Sequence, residues 1–538
     1  MMILNNLLLD TSTKKFIKHN EKHFKKERIS SRKKILIEFN NWPTFHISNS
    51  YLISAIKQDK NYDTVAYENY NIFSYIKNPW LQKIKWYIGS FLRLKTFKIY
   101  ESIGINSYVQ PRINSRIKEK TNKTAKKILK KIKTKQDVIN LKVESIWVGD
   151  LIYDTYLKRF NDYTVNIHDQ RFIDFLHSFI SIFYFWLFYF KENKIHSVIT
   201  GHGVYISAVL LRIASFKNIN SYVGHEYKIY RFNNFLQKQK ISSTGNFYEN
   251  RFFKKIFNAS NKLKQKQIIS IGKKLTNSFF KNNKYNYYTK IYDSKKIQKS
   301  LISKNKIKVV IFLHAFSDSP NVYGGNLFPD YFEWIKFLND KIIPNTDYEW
   351  YVKPHPNFER DQSKFINSFD NLSKLKIIPK HYNLYHLDKL KISFALTMFG
   401  ALSKEYPLRN IRVINACINN PYSNFKFSLT PQSIKKYEDI LLNLKKNFYK
   451  IDKQELYIYN YMDNVLFNKN YLFNNFENFA IKIGGRQKLY ETRLYSYWME
   501  QFTKDNHKSI IKQISNYITS KDYLLSDKHR SKNLINED

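Results

Sequence analysis

The chain has 538 residues, of which 90 are Lys or Arg and 44 are Asp or Glu, so its formal net charge is +46. A hydrophobic fraction of 43% excludes a disordered protein, and the length predicts roughly two to four domains. The single cysteine, Cys417, excludes an intrachain disulfide and a Cys-rich zinc site, and it fits a reducing cytoplasm. The positive charge favours polyanionic partners: nucleic acid, an anionic lipid surface or a phosphorylated substrate.

The N-terminal part of the chain alternates between basic and apolar segments. Residues 1–30 form a basic leader, and its start, MMILNNLLLDTSTKK, lacks the basic region and cleavage site of a signal peptide. The run ILIEF at 35–39 predicts a strand, with a turn containing Asn and Pro after it. The lysine-rich stretch at 118–136 predicts either a solvated helix face or a surface-binding helix.

Two apolar segments follow this basic stretch. The segment VESIWVGDLIYDTYLKRF at 143–160 predicts a strand that ends at Gly149-Asp150 and is followed by a helix. The segment SFISIFYFWLFYF at 178–190 has thirteen residues without charge. Because a membrane span needs about 20 apolar residues, a buried or interfacial helix is predicted there.

Strands and helices alternate in residues 194–224 and again in residues 306–416. Such alternation predicts parallel sheets with helical crossovers. The predicted fold class is therefore α/β, with two Rossmann-like parallel-sheet domains facing a cleft and with added helices. The predicted segments are the basic leader 1–30, the N-terminal domain 31–240, a helical linker 241–305, the C-terminal domain 306–510 and a tail 511–538.

The stretch WYVKPHPN at 350–357 places a histidine between two prolines at the end of a predicted strand. Pro354 and Pro356 fix their own φ and restrict the residue before them, so Lys353 and His355 sit on stiff backbone. Ligands bind at the carboxyl ends of strands in α/β domains, where this pair can contact a phosphate. The alternative is a rigid loop whose histidine is merely solvated.

A second turn of this kind lies at Thr397 to Gly400, where a helix start offers N–H groups to a phosphate. Glu405 lies further along the predicted helix, where it can accept hydrogen bonds from ribose hydroxyls. With Lys353 and His355, these residues describe a nucleotide pocket; the alternative is ordinary packing with Glu405 as a surface charge. No Gly-x-Gly-x-x-Gly or Walker motif is present, which disfavours NAD and ATP sites.

The segment FLHAFSDSPN places His314, Ser317 and Asp318 just past another predicted strand. These side chains can line the cleft, and a polar turn is an equally good interpretation.

Candidates for a general base lie in the first half of the chain. Glu38, Asp150 and His202 each follow a predicted strand, and we expect at least one of them to be catalytic. His225 and Glu226 are weaker candidates. The sequence has no Asp-x-Asp and no zinc-site spacing, which predicts metal-independent chemistry and no cofactor.

Two blocks of sequence resemble a known family. WYVKPHPN, followed about forty residues later by TMFGALSKEYPLRNIRVINA, resembles the bacterial capsule and surface-polysaccharide glycosyltransferases with a His-Pro motif, which include Kdo transferases of the GT-B type. The group is distantly similar to bacterial sialyltransferases and to the polyol-phosphate polymerases of teichoic acid synthesis. The resemblance covers roughly residues 306–445, and the first half is similar only in layout.

The resemblance implies a GT-B fold that holds the donor in the second domain and the acceptor in the first. It implies that His355 contacts the donor phosphate, that Glu405 contacts the ribose and that the first domain supplies the base. The implied donor is CMP-Kdo or another CMP-sugar. GALSKE and RNIRV depart from the family pattern. The implied partners are a lipid-linked or polysaccharide acceptor and the anionic inner-membrane surface, to which a cytoplasmic enzyme attaches peripherally.

Two rival interpretations stay open at this stage. One is transfer of polyol phosphate from a CDP-alcohol by a similar fold. The other is a nonenzymatic protein that binds membrane surfaces or nucleic acid through its charge, with no dependence on His355. Specific nucleic-acid binding is not expected, because the lysines are spread along the chain rather than concentrated in a recognisable module.

Overall fold

A computed structural model describes the fold of most of the chain. The described residues are 9–24, 33–58, 62–69, 78–224, 229–233, 245–281, 306–355, 362–379, 382, 384–466, 491–502, 504–526 and 529. Pro356, His225 and Glu226 lie outside these residues.

The first half contains a six-stranded sheet with the strand order β3-β2-β1-β6-β7-β8. All neighbouring strands are parallel except β8, which is antiparallel to β7. The strands are β1 Lys33–Glu38, β2 Asp63–Tyr67, β3 Ser107–Val109, β6 Lys194–Thr200, β7 Asn220–Gly224 and β8 Ile229–Phe232. Two further short strands, β4 Lys142–Val143 and β5 Ile146–Trp147, form a separate antiparallel pair.

The second half contains a five-stranded sheet with the strand order β11-β10-β9-β12-β13, and all its strands are parallel. The strands are β9 Lys308–Phe312, β10 Glu349–Lys353, β11 Lys376–Ile377, β12 Phe394–Thr397 and β13 Arg412–Asn415. Two parallel sheets connected by helices confirm the predicted α/β class with two Rossmann-like halves.

Helices surround both sheets. The α-helices are α1 Thr11–His23, α2 Pro43–Ile56, α3 Pro79–Phe91, α4 Lys95–Ser102, α5 Ser115–Leu129, α6 Lys135–Ile139, α7 Gly149–Phe160, α8 Gln170–Glu192, α9 Val209–Phe216, α10 Gly245–Ala259, α11 Lys262–Lys281, α12 Tyr331–Phe337, α13 Gln362–Asn367, α14 Leu384–Lys389, α15 Leu402–Glu405, α16 Ile434–Leu442, α17 Lys453–Tyr461, α18 Arg493–Glu500 and α19 Lys504–Ser520. The 3₁₀ and π turns are Ile206–Ala208, Leu338–Ile342, Ile343–Asn345, Leu372–Lys374, Tyr406–Arg409 and Met462–Leu466.

The central strand β1 is buried on both faces, as expected for a parallel sheet. Leu36 points into one apolar core and its neighbours Ile35 and Ile37 point into another, because successive side chains alternate across a strand. The first core includes α7, α8 and α9, and the second includes α2 together with α18 and α19.

The last two helices belong to the N-terminal half of the fold. The sequence assigns residues up to 510 to the C-terminal domain and residues 511–538 to a tail. In the structure Trp498 and Ile514 are buried in the same core as Ile35, and α19 packs against α2. An amphipathic pattern identifies such helices locally but carries no information on which distant core they cover.

Helix α8 contains the uncharged run at 178–190. It is long and apolar enough to cross a membrane by length and composition, and 56% of its most apolar window is buried inside the protein. Phe179, Phe183 and Trp186 lie in the core that also contains Leu36. The helix predicted for this run is present, and more than half of its most apolar window is buried.

Candidate active site

Glu38 lies at the point where the first sheet reverses its strand order. From β1 the chain continues outward to β2, and from the adjacent strand β6 it continues in the opposite direction to β7. A crevice opens at such a switch point beyond the carboxyl ends of the strands. There Glu38 Oε2 accepts hydrogen bonds from Thr200 Oγ1 at 2.9 Å and from the Gly201 N–H at 2.7 Å.

The Gly-His-Gly turn after β6 is tightly packed against the start of α2. A Cβ atom on Gly201 would lie 2.8 Å from the Phe45 ring, so glycine allows the turn to approach this helix. The His202 ring lies 4.8 Å from Trp42 and 5.3 Å from Phe45, measured between ring centroids, and His202 is half-buried. The structure therefore brings Glu38 and His202 together at one edge of the sheet, as the sequence predicts.

Glu68 is a second carboxylate at this edge that the sequence reasoning missed. It directly follows β2, the neighbour of β1, and Gln110 Nε2 lies 3.5 Å from its Oε2 atom. Burial raises the pKa of Glu68 to about 8; Lys85 opposes this shift and the charge of Glu38 adds to it. Burial also raises the pKa of Glu38, against the hydrogen bonds from Gly201 and Thr200. The signal was available in TVAYEN, a short apolar run followed by an acid.

Asp150 lies on a different element from Glu38 and Glu68 and has a different partner, Arg212. The strand predicted before Asp150 is present as the short strand β5, which ends at Trp147 and pairs with β4 outside the main sheet. Asp150 lies in the first turn of α7 and accepts a 2.6 Å hydrogen bond from Arg212 Nη2. Both side chains are buried, and the Arg212 guanidinium lies 4.2 Å from the Trp147 ring centre. This geometry indicates a core ion pair.

His314 holds the carboxyl ends of β9 and β12 together in the second sheet. Its Nε2 atom lies 2.9 Å from Thr397 Oγ1 and accepts a 3.3 Å hydrogen bond from the Met398 N–H. The imidazole stacks on Tyr331 with ring centroids 4.2 Å apart. Burial, together with the charge of nearby His355, lowers the pKa of His314 to about 3. His314 is therefore a neutral residue that positions the turn at 397–400.

Lys353 and His355 lie at the end of β10, next to His314. Lys353 is buried, its Nζ atom is 5.9 Å from the Phe312 ring centre, and its carbonyl accepts a 3.0 Å hydrogen bond from the Leu313 N–H. His355 is half-buried and close enough for its charge to affect His314. The structure thus brings His355, Lys353, His314 and Thr397 to one edge of the second sheet, as the sequence predicts.

The helix expected after Gly400 is shorter than the sequence suggests. Leu402–Glu405 is a single α-helical turn that continues as the 3₁₀ turn Tyr406–Arg409, so the helix-dipole contribution expected at this turn is small. A Cβ atom on Gly400 would make only ordinary contacts. Glu405 is exposed on this turn.

The loops that follow β6 and β9 contact each other. Tyr205 donates a 2.7 Å hydrogen bond from its hydroxyl to Asp318 Oδ1, and Ser319 Oγ donates to the same hydroxyl at 2.9 Å. Lys158 Nζ lies 3.5 Å from Asp318 Oδ1, and Ser317 Oγ donates to Asn161 Oδ1 at 3.0 Å. Asp318 and Ser317 therefore lie where the two halves meet, at the carboxyl edges of both sheets.

Within the part of the chain that the structure describes, no group of three or more His, Cys, Asp or Glu side chains is placed to hold a metal ion.

No family model and no curated protein matches the chain. Similar solved structures include Thermosulfurimonas dismutans KpsC, beta Kdo 2,4 transferase (10% identity, 49% of this chain and 79% of that chain, TM-score 0.30). They also include the UDP-GlcNAc 2-epimerase from Neisseria meningitidis bound to UDP-GlcNAc (11% identity, 78% of this chain and 95% of that chain, TM-score 0.20). A third is Acinetobacter baumannii MurG (7% identity, 80% of this chain and 94% of that chain, TM-score 0.25). These similarities concern the fold alone.

Proposed function

We propose that the protein is a metal-independent glycosyltransferase of GT-B-like architecture, which moves a sugar from a nucleotide donor to a surface-polysaccharide acceptor. The supporting observation is the contact of Tyr205 with Asp318 and Ser319, which joins the loops at the carboxyl ends of the two sheets. Lys353 and His355 lie at the edge of the second sheet, and Glu38 and Glu68 lie at the edge of the first, so in this proposal a donor phosphate and an acceptor hydroxyl have separate sites.

The donor belongs to the second half in this proposal. Negative charge develops on the leaving phosphate during transfer, and Lys353 and His355 stabilise it from stiff backbone positions. His314 and Thr397 position the turn beside them, and Glu405 contacts the ribose. The proposed donor is a CMP-sugar, with Kdo as the first candidate.

The acceptor belongs to the first half. Glu38 or Glu68 removes the proton from the attacking hydroxyl, and His202 lines the same crevice. The carboxylates come from neighbouring strands, so the charge on one disfavours ionisation of the other and keeps a basic group available near neutral pH. Water is excluded when the two edges approach, which protects the donor from hydrolysis.

Nucleotide binding tests this proposal without any knowledge of the acceptor. The purified chain is screened by thermal shift against CMP, CDP, UDP, GDP and ADP, together with the His355→Ala variant. We expect saturable stabilisation by a cytidine nucleotide, of about 2.7 kcal/mol at a hundred times Kd, that is lost in His355→Ala. His168→Ala, which removes an exposed histidine, is the matched control and should respond like the wild type.

Two outcomes of the screen contradict the proposal. A shift that persists in His355→Ala places the phosphate site elsewhere. Binding of nucleic acid or vesicles that is strongly salt-dependent, with no nucleotide response, favours the nonenzymatic alternative. If CMP binds, turnover of CMP-Kdo against CDP-alcohols separates sugar transfer from polyol-phosphate transfer.

A further inference from the structure

Helix α3 exposes an unusual amount of apolar surface. Six of the thirteen large hydrophobic side chains that are exposed in the described part of the chain lie on this helix or at its C-cap, and Phe91 is 86% and Trp80 65% exposed. The six are Trp80, Leu81, Tyr87, Ile88, Phe91 and Leu92. Single exposed hydrophobic side chains are ordinary, whereas a contiguous group marks an interaction surface.

The helix is divided into two faces. Trp86 is buried and lies 4.8 Å from Phe39 and 5.2 Å from Phe97, measured between ring centroids. A Cβ atom on Gly89 would lie 2.7 Å from the Phe97 ring, so this side of the helix packs closely on the core. The exposed hydrophobic side chains therefore lie on the side away from the protein.

The exposed face has the charge pattern of an interfacial helix. At about 100° per residue, the six exposed side chains fall within an arc of roughly 140° around the helix. Lys83 lies on one side of this arc and Lys85 on the other. Long lysine side chains can bury their methylene groups while their ammonium groups reach upward to lipid phosphates. Two exposed arginines lie near the end of the helix: Arg93 follows it and pairs with Glu101, and the Arg112 guanidinium lies 5.8 Å from the Tyr87 ring centre.

We propose that α3 docks on an anionic phospholipid bilayer, with Trp80, Ile88 and Phe91 inserted among the acyl chains and Lys83, Lys85 and Arg93 at the headgroups. The net charge of +46 supplies the long-range attraction that such binding requires. A purely apolar partner protein would not account for the lysines on both borders of the apolar arc.

The position of α3 links this surface to the acceptor. Trp86 packs on Phe39, which directly follows Glu38, and the charge of Lys85 acts on Glu68. The bilayer would therefore lie beside the carboxylate edge of the first sheet. If the protein has the proposed function, on which this step rests, we infer that the acceptor is held at the membrane by a lipid and reaches the carboxylates from the bilayer.

Vesicle binding by the full chain tests the surface. We expect co-sedimentation with phosphatidylcholine–phosphatidylglycerol vesicles, little with phosphatidylcholine alone, and a decrease of about tenfold or more in partitioning for Trp80→Ser/Ile88→Ser/Phe91→Ser. The control Leu263→Ser/Ile271→Ser/Ile434→Ser removes exposed hydrophobic side chains from α11 and α16 and should bind like the wild type. Melting temperatures of both variants establish that they are folded.

A second measurement does not depend on the folding of the triple variant. Brominated acyl chains should quench part of the wild-type tryptophan fluorescence, and Trp80→Phe should lose most of that quenching. Equal vesicle binding by the wild type and the triple variant would overturn the proposal, and so would quenching unchanged in Trp80→Phe. A dimer in sedimentation velocity that disappears in the triple variant, without vesicle binding, would assign the surface to a second copy of the chain.

The failure of this inference is distinguishable from failure of the proposed function. The nucleotide thermal shift needs no vesicles, and vesicle binding needs no nucleotide. Lipid binding with no response to any nucleotide would retain the surface and reject the transferase. The reverse pattern would retain the transferase and reject the surface.

Discussion

Tyr205 and Asp318 join the loops of two different sheets through a 2.7 Å hydrogen bond, and Tyr205 adopts a strained backbone conformation at that contact. Its φ of 58° and ψ of −166° belong to a region that is nearly exclusive to glycine and costs on the order of 1–3 kcal/mol. The side chain is buried and also accepts from Ser319, so the surrounding contacts hold the strained residue in place. The strain lies beside His202, within the candidate site.

The first prediction concerns this contact. Tyr205→Phe removes two hydrogen bonds and should reduce the free energy of unfolding by about 1 kcal/mol. Because Asp318 is its partner, Tyr205→Phe and Asp318→Ala should be coupled by more than about 0.5 kcal/mol in a double-mutant cycle measured by urea unfolding. Tyr348→Phe loses hydrogen bonds within the second half and should be additive with Asp318→Ala. Additivity of Tyr205→Phe and Asp318→Ala would show that the loops do not depend on each other.

The second prediction assigns Asp150 to the core rather than to the chemistry. Asp150→Ala leaves the Arg212 guanidinium buried without its counter-ion, and this should cost about 3–5 kcal/mol of stability. The double variant Asp150→Ala/Arg212→Met should recover part of the loss, because the stranded charge is removed. The comparison is made by urea unfolding. Asp347→Ala breaks an exposed ion pair and should leave the melting temperature unchanged. A stable, inactive Asp150→Ala protein would instead restore Asp150 as a candidate base.

The sequence predicted the candidate site best where local pattern and position agree. Glu38, His202, His314 and Lys353 follow apolar runs with clear turn signals, and those runs became the central strands of two parallel sheets. The carboxyl ends of parallel strands meet at one edge, so placing the strands also placed these side chains.

The remaining elements required information that is not local. The sequence before Asp150 predicts a strand. Whether the two-residue strands β4 and β5 pair with each other or join the main sheet depends on distant contacts. Strand β2 is as long as β9 and β10, but no glycine or proline marks a turn after it, and Glu68 was missed for that reason. The apolar faces of α18 and α19 identify two helices, whereas their partner α2 lies more than 400 residues earlier in the chain.

The third prediction concerns the pH dependence of stability that follows from the raised pKa of Glu68 in the folded protein. That pKa is about 8, whereas the ordinary value is 4.5, so between these values the unfolded chain binds fewer protons at this site than the folded protein. The contribution of Glu68 to stability should therefore fall as the pH rises through this window, by at most about 1.4 kcal/mol per pH unit, and level off above pH 8. Glu68→Gln should reduce the pH dependence and leave the part that comes from the raised pKa of Glu38, while Glu119→Gln, on the exposed face of α5, should keep it in full. Urea unfolding at a series of pH values measures both. An identical pH dependence in Glu68→Gln would mean that Glu68 ionises normally.

The fourth prediction concerns how the ionisation of Glu68 or Glu38 affects the pH dependence of catalysis. A general base must be deprotonated, so kcat/KM for the acceptor should fall about tenfold per pH unit below the pKa of the base. If Glu68 is the base, this acid limb of the pH profile should have an apparent pKa near 8, and Glu68→Gln should eliminate the limb along with most of the rate.

If Glu38 is the base, Glu38→Gln should abolish the activity. Glu68→Gln should then keep the limb at a lower pH, because removing the neighbouring negative charge lowers the pKa of Glu38. Glu119→Gln is again the control. An acid limb retained in both Gln variants would exclude the two carboxylates and leave His202 as the candidate, to be tested with His202→Ala.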